Sequence, residues 1–139
     1  MTGILIVTHA NLGAALIDTL EFILGTKQEK LGTIAIDIKE DPEILRNKIK
    51  QGIKDVYCEN GVIILTDMFG GTPSNLAYAF LEEGKVEVIS GVNLPILLKA
   101  VTTRKKMDIK ALTAALIEHG KKSISLASDI LKGTSRSLS

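Results

Sequence analysis

At 139 residues the chain fits one compact domain, with a substantial core but no room for two ordinary ones. Its 17 Lys and Arg against 16 Asp and Glu leave no field of one sign to recruit nucleic acid or an acidic membrane surface. The apolar residues, 45% of the chain, come in short runs far below the length of a membrane span, and the single Cys58 excludes an internal disulfide or a Cys-rich metal site.

Apolar, β-branched runs alternate with segments of helical period, the pattern of parallel strands joined by covering helices. Gly3 to Thr8 reads as a first strand, apolar on both faces and therefore central. The following helix is expected to bury Leu12, Ala15, Leu16, Leu20, Ile23 and Leu24, and to stop at Gly25. Gly32 to Ile38 is a second strand. Asp41-Pro42-Glu43 then opens a helix with an N-cap, a first-turn proline and an acid near the positive dipole end; Leu45, Ile49, Ile53 and Val56 form its inner stripe.

Val62 to Thr66 is a third strand, and Thr72-Pro73 starts a helix expected to pack Leu76, Ala77, Phe80 and Leu81 inward. Lys85 to Ser90 is a fourth strand. Helices follow from Leu94 and from Asp108, the second stopping at Gly120. The alternation of Ile124 and Leu126 suggests a short fifth strand, antiparallel at an edge or exchanged with another subunit, before a flexible serine-rich tail at 133–139. The expected architecture is an open α/β sheet of order 2-1-3-4 with helices on both faces, in one domain over 1–132. Met1-Thr2-Gly3 runs straight into the first strand without a basic, apolar leader, so a cytoplasmic protein is expected.

In such a sheet, ligands gather beyond the carboxyl ends of the strands where the order reverses, between strands one and three. Thr8-His9 and Thr66-Asp67 lie just past those ends, so an imidazole should face a carboxylate. A carboxylate that accepts the proton of one ring nitrogen leaves the other lone pair free and stabilises positive charge when that nitrogen is phosphorylated. His9 is thus the expected nucleophile and Asp67 its orienter. Gly70, Gly71, Thr72 and Ser74 form a turn into a helix start, where backbone N–H groups and hydroxyls, with Thr8, are expected to hold the phosphoryl group. No lysine of a nucleotide loop and no acidic metal cluster accompanies them, so neither ATP nor a metal or other cofactor is expected. His119 sits where a cation complements a helix end, and Arg104-Lys105-Lys106 reads as a solvated run.

Taken alone, a histidine after a buried strand is more often structural, an acid at a strand end is commonly a cap, and paired glycines are commonly a tight turn. The combination is what argues for chemistry. Gly3-Ile4-x-x-Val7-Thr8-His9, together with Thr66-Asp67-Met68-Phe69-Gly70-Gly71-Thr72-Pro73-Ser74-Asn75 and the turn Ser90-Gly91-Val92-Asn93-Leu94-Pro95, resembles the IIA component of mannose-family sugar phosphotransferase systems. The resemblance covers the chain to about Leu126. It implies phosphorylation of His9 by the carrier HPr, transfer to a separate IIB protein, and a homodimer that exchanges a C-terminal strand. It departs at Ala10, where the family usually has glycine. A purely regulatory phosphohistidine protein, and the similar IIA of dihydroxyacetone kinase systems, remain open on these residues. A receiver domain is disfavoured because Thr8-His9 stands where its acidic pair would be, and a dinucleotide enzyme because Gly-x-Gly-x-x-Gly is missing after the first strand.

Overall fold

The computed structural model describes the backbone of residues 1–138 and side chains to residue 132. Four strands, β1 (Gly3–His9), β2 (Leu31–Ile36), β3 (Val62–Thr66) and β4 (Val86–Ser90), form one sheet of order β2-β1-β3-β4. Every neighbouring pair is parallel. β1 and β3 are central and buried throughout, apart from the half-exposed His9 at the end of β1. This is why Ile4 to Val7 and Val62 to Leu65 are apolar at every position rather than at every second one.

Alternation along β1 divides the core into two layers. Ile4 and Ile6 pack with Leu20, Leu97, Leu112 and Leu116, under α1 (Leu12–Leu24), α4 (Leu94–Thr103) and α5 (Ile109–Lys122). Leu5 and Val7 face the other way, against Leu45, Ile49, Ile53 and Ala77 of α2 (Pro42–Val56) and α3 (Thr72–Ala77). His9 continues that second parity, so its side chain belongs to the layer of α2 and α3.

Several details depart from the sequence reading. The buried stripe of α1 is not Leu12, Ala15 and Ile23, which are exposed, but Gly13, Leu16, Ile17, Leu20 and Leu24. The cause is Gly13: a Cβ there would lie 2.1 Å from Thr33 Oγ1, so the helix touches the sheet along the only line that lets it come so close. β2 ends at Ile36, because Asp37 turns the chain by accepting from the Lys39 N–H at 2.9 Å; Ile38 is exposed. α3 tightens into a 3₁₀ turn at Tyr78–Phe80, which leaves Leu81 outside the core. α5 runs past Gly120 to Lys122, and Gly120 serves instead as a close contact, a Cβ there lying 2.5 Å from Ile96 Cδ1.

Within the single chain the expected fifth strand does not form. Residues 124–126 carry no regular structure, and α6 (Ala127–Leu138) follows, with Leu126 O accepting from the Asp129 and Ile130 N–H groups. Two alternating apolar residues need a ladder partner, and Ile124 and Leu126 pair with no strand among the described residues and stay exposed. Helix α6 reaches into the 133–139 stretch expected to be a tail, and Ser139 lies outside the described residues.

Candidate functional site

Pairing of Val7 with Thr66 is the last step of the β1–β3 ladder, so the next residues of both strands emerge side by side. Asp67 sends one carboxylate oxygen across this gap. Its Oδ2 accepts from the His9 backbone N–H at 2.9 Å and lies 2.7 Å from His9 Nδ1, while Oδ1 accepts from the Met68 N–H at 3.0 Å. The imidazole and the carboxylate that the sequence placed on two separate loops do meet.

Burial pushes the Asp67 carboxyl upward. The His9 backbone N–H and the His9 ring outweigh that push, so the group titrates below the usual aspartate range. An ionised carboxylate can only accept, so Nδ1 is the donor of this contact and the neutral ring is the tautomer with its lone pair on Nε2. The asymmetry of exposure fits this division: the Asp67 side chain is 12% exposed and that of His9 41%.

Beside the ring runs the Asp67–Gly71 turn. Gly70 takes a left-handed φ of 82°, which suits glycine. Gly71 has ordinary angles and is required for another reason: a Cβ there would stand 3.0 Å from His9 Cε1 and 3.7 Å from Nε2. Gly71 then caps α3, whose first internal bond is Asn75 N–H to Gly71 O at 3.0 Å. The N–H groups of Thr72 and Ser74 precede that bond and are left over from the helix, and Pro73 has none to leave.

Two of the expected phosphate contacts are occupied otherwise. Thr8 is fully buried and its Oγ1 accepts from the Gly13 N–H at 3.0 Å, helping to seat α1. Ser74 is also fully buried. Its hydroxyl donates to Met68 O at 2.6 Å and meets Thr66 Oγ1 at 2.5 Å and Ser90 Oγ at 3.1 Å, so it fastens the turn from beneath. Both hydroxyls neighbour His9 or Gly71 in sequence. Strand parity and helix phase turn them inward. Thr72 stays exposed at the rim.

A cleft of 570 Å³ opens on the β2 side of His9, lined by Ile36, Asp37, Ile38, Glu40 and Lys48 among others. The sequence reading did not single out Lys48, whose ammonium donates to both oxygens of Glu40, at 2.9 and 2.7 Å. Its only sequence signal was its place on the polar side of an amphipathic helix, which many surface lysines share. His119 lines a different hollow, with Lys99, Glu118 and Lys122.

Among the described residues, no helix is long and apolar enough to cross a membrane. The family profile described as the fructose IIA component of the phosphotransferase system matches residues 3–117. The fructose-specific EIIA component of Bacillus subtilis is 32% identical over 133 residues, which span 95% of this chain and 90% of that protein. The mannose-specific EIIAB component of Escherichia coli K12 is also 32% identical, over 88% of this chain but only 38% of its own length. Among solved structures, the phosphotransferase component EIIA of Streptococcus agalactiae superposes with a TM-score of 0.83 at 28% identity, over 93% of this chain and 99% of that one. A parallel sheet of order 2-1-3-4, a histidine at the end of its central strand and a match over most of the length agree: the chain belongs to the mannose-family IIA components of the sugar phosphotransferase system.

Proposed function

We propose that His9 is the phosphoryl acceptor of this IIA component, taking the group from phospho-HPr on Nε2 and passing it to a IIB protein in the cytoplasm. One observation carries the reading: the 2.7 Å contact that commits Nδ1 to Asp67 while Nε2 stays open beside Gly71. As the bond from Nε2 to phosphorus forms, the bond from phosphorus to the donor's imidazole breaks. No proton has to leave His9, because the attacking nitrogen carries none. The positive charge that develops on the ring is held by the ionised Asp67.

The phosphoryl oxygens then lie against the Gly70-Gly71-Thr72 turn, with backbone N–H groups, the Thr72 hydroxyl and the start of α3 as donors. Transfer onward reverses the same step toward IIB. Sugar choice is left to the membrane components, since no step at His9 touches the sugar.

Assembly as a homodimer belongs to the same reading. β4 is an open edge of the sheet, and Ile124 and Leu126 are 81% and 64% exposed, so the C-terminal segment of a second copy has both a ladder and an apolar reason to dock. Sedimentation at micromolar concentration is expected to give twice the chain mass, and a monomer there removes the dimer.

The phosphoryl reading is tested by incubating the protein with phosphoenolpyruvate, enzyme I and HPr. The expected product carries one phosphoryl group that is acid-labile and base-stable, is absent from His9→Ala and persists in His119→Ala. Label on another residue overturns the assignment.

A further inference from the structure

The cleft beside His9 contains one cation, and that cation is held by a carboxylate. Lys48 lies near the middle of α2, and helical side chains lean toward the N-terminus of their helix, so its ammonium reaches up to the carboxyl end of the sheet, where Glu40 and His9 line the same cleft. Asp37 and Glu40 are the acids of that cleft, and Lys48 is its one lysine or arginine among the described residues. A phosphoryl group on His9 Nε2, between the Gly71 turn and this cleft, would add close to two negative charges at the cleft's edge.

Resting on the phosphocarrier reading, we infer that Lys48 is a second ligand of the phosphoryl group, parked on Glu40 until His9 is charged. The parked pair is easily given up. Its side chains are 44% and 30% exposed, and ion pairs so open to solvent add little to stability. A phosphoryl dianion is the stronger attractor of the two acids on offer, because it carries more charge and three acceptor oxygens.

The exchange has a chemical consequence and a recognition consequence. Loss of the phosphoryl group passes through a loose, metaphosphate-like transition state, and as the N–P electron pair returns to the ring the group falls from a dianion toward a monoanion. An ammonium on the group's oxygens therefore stabilises the phosphohistidine more than the transition state for its loss to water, and lengthens its life. Movement of Lys48 also leaves Glu40 without its cation in the charged form, so the face that meets the donor differs from the face that meets the acceptor.

The test follows the first-order decay of phosphohistidine by phosphorus NMR, after His9 is charged with phosphoramidate so that no partner protein is involved. Lys48→Met is expected to shorten the lifetime roughly three- to tenfold, the size of a partly screened contact between unlike charges. Lys48→Arg is expected to restore it to within about twofold, because a guanidinium offers the same charge to the same oxygens. Glu40→Gln, which releases the lysine, is expected to leave the lifetime equal to or longer than that of the parent. Equal lifetimes in the parent and Lys48→Met, with both proteins charged on His9, overturn the inference and leave the phosphocarrier reading intact. Failure of His9 to take up phosphoryl in any of the proteins overturns both.

Discussion

The two ends of the sheet each carry a polar side chain that ties several segments together, and they treat it in opposite ways. At the carboxyl end the His9 ring is paired to Asp67 on one side and open on the other. At the amino end, Arg104, on the last turn of α4, is 2% exposed. Its guanidinium donates to the carbonyls of Glu29 at 2.6 Å, Lys30 at 3.0 Å and Thr2 at 3.5 Å, which are the residues that lead into β2 and β1. Burial pushes Arg104 below the ordinary arginine pKa, yet nothing there waits for a ligand. A polar group that must react keeps one face reachable, whereas the Arg104 group that only fastens spends its terminal Nη donors on backbone.

The comparison breaks most sharply if the fastening end is cut. Arg104→Ala removes the donor from three carbonyls and leaves a cavity in their place, a loss expected to be about 3–4 kcal/mol. The value sits below the extreme for a buried charge, because Arg104 Nε has no partner to lose among the described residues. Urea unfolding should register this loss in full. The rate of phosphoryl uptake per folded molecule should not change, and a large fall in that rate would mean that the two ends are coupled.

Cutting the reactive end should do the reverse. Asp67→Asn keeps the shape of the contact but removes the charge that stabilises a phosphorylated ring, so uptake from phospho-HPr is expected to fall about a hundredfold, or about 2.7 kcal/mol of barrier. An unchanged rate would take Asp67 out of the mechanism. The acid limb of stability gives a second measure. Asp67 has a folded pKa below its unfolded value of about 3.9, so the stability it adds is complete above that value. The contribution disappears as the pH falls through the lower folded value, and the difference between parent and Asp67→Asn should vanish there.

The same contrast explains what could be read in the sequence. The site was legible because it depends on register: once β1 and β3 are parallel neighbours, Val7 opposite Thr66 places His9 beside Asp67, whatever the helices do. Arg104 was not legible. It stands in the run Arg104-Lys105-Lys106, and only the path of residues 29 and 30 under α4 decides that the first of three similar cations is buried. The inward bonds of the Thr8 and Ser74 hydroxyls were hidden for a related reason, since a hydroxyl is equally suited to an anion or to a nearby protein group and only its direction selects one. The phase of α1 was misread because apolar periodicity counts large side chains, whereas its closest approach to the sheet is made by Gly13, which has none.

The smallest expected effect concerns Ala10, which stands directly after His9 at the carboxyl end. Ala10 donates its N–H to Ile36 O at 3.2 Å and has φ at 48°, in the left-handed region. An alanine held there costs about 1 kcal/mol in crowding of Cβ against the backbone, which glycine avoids. Glycine also gains freedom in the unfolded chain, so part of the relief is cancelled and Ala10→Gly should stabilise by about 0.5 kcal/mol. The structure around His9 already accommodates the strain, and the Asp67 contact closes on the far side of the ring's own backbone, so the rate of phosphoryl uptake should stay within about twofold. A large gain in rate would instead show that Ala10 withholds a motion that the reactive end needs, and would place the difference between the two ends of the sheet in backbone freedom as well as in exposure.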